Sequence, residues 1–251
     1  MITLGIDLAS QDANTASCLV EWADGHASVR LPCCPQTDEE LVAAILGADV
    51  TGIDIPFGWP DAFVRAVTRY RAGEGWPDVA PAELCYRGTD RHLEAALRAQ
   101  GIKRRPLSVA SDRIAIPAMR AARLLTRLAD RGVPVDRAGG GRLYEAYPAA
   151  ALAVWGLPSR GYKDVKGAEV RAGIVALLRQ RTEGWLRLDP LVEKACCVSD
   201  HELDALIAAL IARAAAVGLC TPPPPALAEV AAREGWIYLP AADALDRLAR
   251  G

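Results

Sequence analysis

The chain has 251 residues, of which 51% are hydrophobic and 24% charged, and its formal net charge is −2. That is ample apolar material for a large core, while the near-neutral balance excludes a protein that coats nucleic acid through a broad basic surface. No window reaches the ~18 uninterrupted apolar residues that a membrane span needs, so no membrane partner is expected.

The opening MITLGIDLAS alternates with period two: Ile2, Leu4, Ile6 and Leu8 share one face, and Thr3, Gly5, Asp7 and Ala9 the other. This predicts a strand. It lacks the basic segment and small-residue cleavage site of a signal peptide, so a cytoplasmic location is expected. CLVEW (18–22) and ASVRL (27–31) are further strand-like runs, joined through Ala-Asp-Gly-His into an antiparallel meander. TDEELVAAILGA (37–48) changes to a helical period, with Thr37 and Glu40 spaced as a capping box. The following strand, 50–55, repeats the Gly-Ile-Asp triplet around Asp54, and Pro56 and Pro60 bracket a rigid turn.

Residues 60–135 read as a helical insertion: DAFVRAVTRYRA, DRHLEAALRA and AMRAARLLTRLADRG, joined by loops rich in Gly, Pro and Arg. RLYEAYP (142–148) predicts a strand stopped by Pro148, and helices are expected at about 149–155 and 166–181. A long helix begins near Ser199, with Gly218 suited to its C-cap. The stiff connector PPPP (222–225), a short helix and the strand WIYL (236–239) follow. A single α/β domain over 1–251 is the expectation. The seven cysteines include the adjacent pairs Cys33-Cys34 and Cys196-Cys197 but no C-x-x-C spacing, so reduced thiols are expected rather than a zinc site.

Asp7 and Asp54 are unusual because each lies inside an apolar strand, two residues after a glycine on the same face. An unpaired charge there is costly, and the glycine is expected to leave room for a ligand or ion beside the carboxylate. Glu145 lies in a third predicted strand. On the long helix Asp200 and Asp204 share an i, i+4 row at the flank of the apolar face. Carboxylates gathered in one place repel, and hard oxygen ligands favour Mg²⁺ or Mn²⁺. Each acid also has a purely structural use: a backbone cap for Asp7 or Asp54, an arginine partner for Glu145, the helix dipole for Asp200. His201 is expected to be a solvated first-turn residue, with metal ligation or proton shuttling as its alternatives.

The order of strand-Asp, meander, helix, strand-Asp, helices, strand and late acidic helix resembles the RNase H-like fold, with a mixed five-stranded sheet flanked by helices. GIDLAS together with DHELDAL is similar to the arrangement of Holliday-junction resolvases. The set GIDLAS (5–10), IDIPFGWP (53–60), YRGTDR (86–91), YEAYP (144–148), the Tyr-Lys of GYKD, DHELDALIAAL (200–210) and EGWIYLP (234–240) resembles the domain of unknown function 429 family. Members of that family are described as predicted RNase H-like nucleases.

The resemblance implies metal ligands at Asp7, Asp54 and Asp204, with Glu145 and Asp200 next, and hydrolysis of nucleic-acid phosphodiester bonds. It implies substrate contacts at Arg87, Asp90, Arg91 and Lys163. A helix N-terminus capped by Thr89 or Asp90 is the other use of that arginine-rich stretch. Lys103-Arg104-Arg105 is a further phosphate candidate with a solvated loop as its alternative; Tyr144, Tyr147 and Trp59 could stack on bases or pack in the core. Two other functions fit the same fold: an ATP-dependent phosphotransferase, and a non-catalytic domain that binds nucleic acid or protein.

Overall fold

The computed structural model describes residues 1–31 and 36–250, so the Cys33-Cys34 pair lies outside the described residues. Strands β1 (Ile2–Asp7), β2 (Ala16–Ala23) and β3 (His26–Arg30) come first, then helix α1 (Asp38–Gly47) and strand β4 (Val50–Asp54). Helices α2 (Asp61–Arg71), α3 (Pro81–Cys85), α4 (Gly88–Ala99) and α5 (Asp112–Asp130) precede β5 (Leu143–Glu145). Helices α6 (Pro148–Val154) and α7 (Ala168–Arg181) lead to β6 (Leu186–Arg187). Helices α8 (Pro190–Val198) and α9 (Asp200–Ala216) are followed by β7 (Cys220–Thr221), α10 (Ala228–Glu234) and β8 (Leu239–Pro240).

The main sheet is mixed, with strand order β5-β4-β1-β2-β3-β6. The β1–β2 and β2–β3 ladders are antiparallel, and the β1–β4 and β4–β5 ladders are parallel. This is the expected α/β arrangement, but the sheet has six strands rather than five. The extra strand, β6, pairs parallel to the β3 edge and is two residues long. Two residues carry no period to read. Helix α8 was also unpredicted, although Asp189 caps it by accepting from the Leu191 amide at 2.7 Å and Pro190 starts it. Of WIYL, only Leu239 enters a strand, while Ile237 bridges in parallel to Glu145.

The period of β1 separates two cores. Leu4 and Ile6 pack with Leu41 and Ile45 of α1 and Leu124 and Leu128 of α5. On the opposite face Cys18 and Val20 of β2 meet α9 through Ala205, Ala208, Ala209 and Ala212. The α1 cap forms as its residue types require: Thr37 accepts from the Glu40 amide at 3.3 Å, and Glu40 accepts from the Thr37 amide at 2.8 Å. The sequence pattern suggests one buried face for α9, but every residue from Leu203 to Ala214 is buried. Other helices cover the side that faces away from the sheet. Among the described residues no helix is long and apolar enough to cross a membrane.

Candidate functional site

Asp7 ends β1 and Asp54 ends β4. The two Gly-Ile-Asp triplets are aligned across the parallel ladder: Gly5 with Gly52, Ile6 with Ile53, Asp7 with Asp54. Register partners point to the same side of a sheet, so both glycines and both acids face α9. A Cβ on Gly5 would overlap the Ala205 carbonyl oxygen and the Ala209 amide, and one on Gly52 would overlap the Ala208 carbonyl oxygen. This corrects the sequence reading of these glycines. The space beside the carboxylates is filled by the α9 backbone rather than left for a ligand.

With α9 this close, Asp204 comes over the ends of both strands. Asp7, Asp54 and Asp204 each offer a carboxylate oxygen within 4.8 Å of the others. Burial, then the charges of Asp204 and Asp7, holds the Asp54 carboxyl well above the usual carboxylate range. Among the described residues no group donates a hydrogen bond to it. Burial also raises Asp204; Lys163 pulls it down and Asp7 pushes it up again, leaving it at about 6.

Asp204 is fully buried. The Tyr162 hydroxyl donates to its Oδ1 at 2.9 Å, and the Lys163 ammonium pairs with its Oδ2. Partial desolvation of the half-exposed Lys163 disfavours its charge, but Asp204, Asp7 and Asp54 more than offset that and hold it protonated. The loop carrying Tyr162 and Lys163 is fixed by Arg171 of α7, which donates to the carbonyls of Tyr162 (2.6 Å), Asp164 (2.7 Å), Val198 (2.8 Å) and Cys197 (3.0 Å). Asp164, next to Lys163, has φ of +62°, a left-handed conformation that costs a non-glycine residue energy.

His201 was expected in solvent. Its Nδ1 instead lies 2.6 Å from Asp7 Oδ2, and that hydrogen bond is the main reason its pKa is raised. The signal was its place three residues before Asp204, which puts both on one side of α9.

The remaining candidates lie apart from the acid cluster. Asp200 sits in the first turn of α9 and is not part of it. Glu145 borders the same cavity, but both its oxygens meet Arg87, at 2.6 and 2.8 Å, and Oε2 also accepts from the Phe57 amide at 3.0 Å. Arg87 spends its other donors on Asp90, at 2.9 and 3.2 Å, and on the Glu234 carbonyl at 3.0 Å. Asp90 in turn accepts from the Arg87 amide at 2.9 Å, closing the N-terminus of α4. This buried Arg87–Asp90–Glu145 group joins the helical segment to the sheet. Arg91 points elsewhere, donating to the Tyr86 carbonyl at 3.0 Å. Tyr144 packs edge-on against Tyr238 at 4.8 Å between ring centroids.

A cavity of about 420 Å³ is lined by Asp7, Asp54 and Lys163 together with Tyr147, Pro106 and Leu107, and the fully buried Asp204 is not part of its lining. The fold and site together define an α/β protein with three convergent carboxylates at the carboxyl ends of central parallel strands. The chain belongs to the family described as Protein of unknown function (DUF429), whose model matches residues 5–228. No curated protein and no solved structure matches it.

Proposed function

We propose that the chain is a divalent-metal-dependent hydrolase of nucleic-acid phosphodiester bonds, with Mg²⁺ or Mn²⁺ held by Asp7, Asp54 and Asp204. The observation that carries this reading is the convergence of their oxygens within 4.8 Å, with Asp54 left without a donor. An all-oxygen set of this kind suits a hard dication. Bound there, such an ion would activate water, and two ions about 4 Å apart would stabilise both oxygens of a phosphodiester displacement.

The chain's own groups prepare the site. Tyr162 sets the orientation of Asp204, and His201 sets that of Asp7. Lys163, whose side chain is 47% exposed, offers its ammonium to a non-bridging phosphate oxygen. The order of the acids, ending the first strand, ending the fourth and on a late helix, agrees with the RNase H-like resemblance and supports the reading.

Incubation of the purified protein with single-stranded, duplex and branched DNA and RNA, in Mg²⁺ or Mn²⁺, tests it. Cleavage that Asp7→Asn and Asp204→Asn each abolish is the expected result; no cleavage of any substrate overturns it. The Lys163–Asp204 ion pair favours a second reading, a non-catalytic binding domain in which the ammonium takes the place of a metal ion. Calorimetric titration with Mn²⁺ separates the two, since a non-catalytic site of that kind binds the ion weakly or not at all.

A further inference from the structure

A second cavity, of about 410 Å³, adjoins the first and is lined by Lys103, Arg104, Arg105, Arg160 and Lys163. No Asp or Glu lines it. Arg104, Arg105, Tyr162 and Lys163 belong to both cavities. In a chain of net charge −2, this is a local excess of one sign.

The way these cations are held matters more than their number. Arg105 is matched by Glu94 at 2.5 Å, and Lys163 by Asp204. Arg104 and Arg160 are anchored on neutral acceptors. Arg104 donates to the carbonyl and, at 3.1 Å, the hydroxyl of Ser159; Arg160 donates back to the Lys103 carbonyl. The segments 103–105 and 159–163 are thus stitched to each other through carbonyls and a hydroxyl. Among the described residues no carboxylate pairs with Lys103, Arg104 or Arg160. A guanidinium held by a carbonyl keeps its full charge, so the pocket lining carries an excess of positive charge that an anion would offset. Planar guanidiniums and an ammonium are the groups that bind phosphate.

We infer that this pocket is a phosphate subsite, taking the phosphate next along the strand from the one over the acids. The identity of the strand rests on the hydrolase reading; the affinity for a phosphate group does not. Lys163, shared by the two cavities, would stand between consecutive phosphates. The volume falls within the roughly 300–1,000 Å³ of small-ligand pockets, suited to a nucleotide unit rather than the face of a duplex.

Binding, rather than turnover, reads the subsite. Metal-free protein is titrated calorimetrically with a dinucleotide carrying a phosphate at its 5′ or its 3′ end, with the same dinucleotide lacking it, and with inorganic phosphate. One of the phosphorylated forms is expected to bind about tenfold more tightly than the unphosphorylated one, the size of one charge-assisted contact. The double variant Lys103→Gln, Arg160→Gln is expected to lose that gain. The thermal unfolding midpoint of the double variant, expected to match that of wild type, reports that its fold is intact. Equal affinity for all dinucleotides, or a gain the double variant leaves in place, overturns the inference. Inorganic phosphate that binds as tightly as the phosphorylated dinucleotide overturns the assignment to a nucleic-acid strand. A protein that shows the tenfold gain yet cleaves no nucleic acid supports the subsite and counts only against the hydrolase.

Discussion

Asp7 and Asp54 are register partners at the last position of the β1–β4 ladder, so two carboxylates face the same side of the sheet at the same level. Burial, then the charges of Asp204 and Asp7, disfavours an ionised Asp54, and like charges opposite one another destabilise a sheet by roughly 0.2–1 kcal/mol. Asp54→Asn is therefore expected to raise the stability of the metal-free protein by about 0.5–1 kcal/mol and to remove its Mn²⁺ affinity. Urea denaturation in EDTA and calorimetry measure the two effects. A variant that is less stable, or that binds Mn²⁺ like wild type, would contradict this account.

The glycines two residues earlier behave in the opposite way. Gly5→Ala forces a methyl group into the α9 backbone, and overpacking of this kind costs about 1–3 kcal/mol or more. Gly52→Ala meets the Ala208 carbonyl and is expected to cost a similar amount. Denaturation midpoints give the answer directly: an alanine variant as stable as wild type would mean that α9 does not rest on these strands.

Arg87 and Glu145 form the buried bond between the helical segment and the sheet. Glu145→Leu leaves the guanidinium with only Asp90 and a carbonyl, and breaking a buried pair costs about 3–5 kcal/mol. Asp200→Asn, in the first turn of α9, is expected to change stability by less than about 0.5 kcal/mol. Equal losses for the two variants would erase the distinction drawn between these acids.

One acid-sensitive link lies away from the site. Burial pushes the Asp38 carboxyl up, but the hydrogen bond from Arg120 Nε at 2.7 Å and its charge, then Arg123, more than offset that and leave it below its usual value. A depressed carboxyl contributes stability that is fully present above the unfolded pKa, about 3.9, and is lost as pH falls through the folded value. Asp38→Asn should therefore be less stable than wild type at pH 6, with the gap closing as the pH drops below about 4. Urea midpoints across that range check it; a constant gap would rule the linkage out.

Much of this was readable from residue order. Period two in MITLGIDLAS and the doubled triplet fixed which side chains share a face, and parallel register then turned two separate triplets into one aligned pair. The Thr37 cap was legible because its residue types leave few alternatives. What sequence could not supply was the third dimension. Whether a glycine makes room for a ligand or for a helix depends on what lies above it, and α9 is distant in sequence from both strands. His201 looked solvated because first-turn residues usually are; its bond to Asp7 exists only once the helix has docked. Glu145 and Arg87 are separated by 58 positions, and neither carries a local sign that the other is its partner. Strand β6 is too short for any pattern.

The contact between the two glycines and the alanine stretch of α9 acts as a depth gauge. Backbone on backbone is the least compressible contact a fold can make, because no side chain is available to rotate aside. It fixes the height of the α9 backbone over Asp7 and Asp54 from below, while Tyr162 and Lys163 of the neighbouring loop hold the Asp204 carboxylate itself. The distance from sheet to helix at the site is thus set by two missing side chains rather than by any that are present.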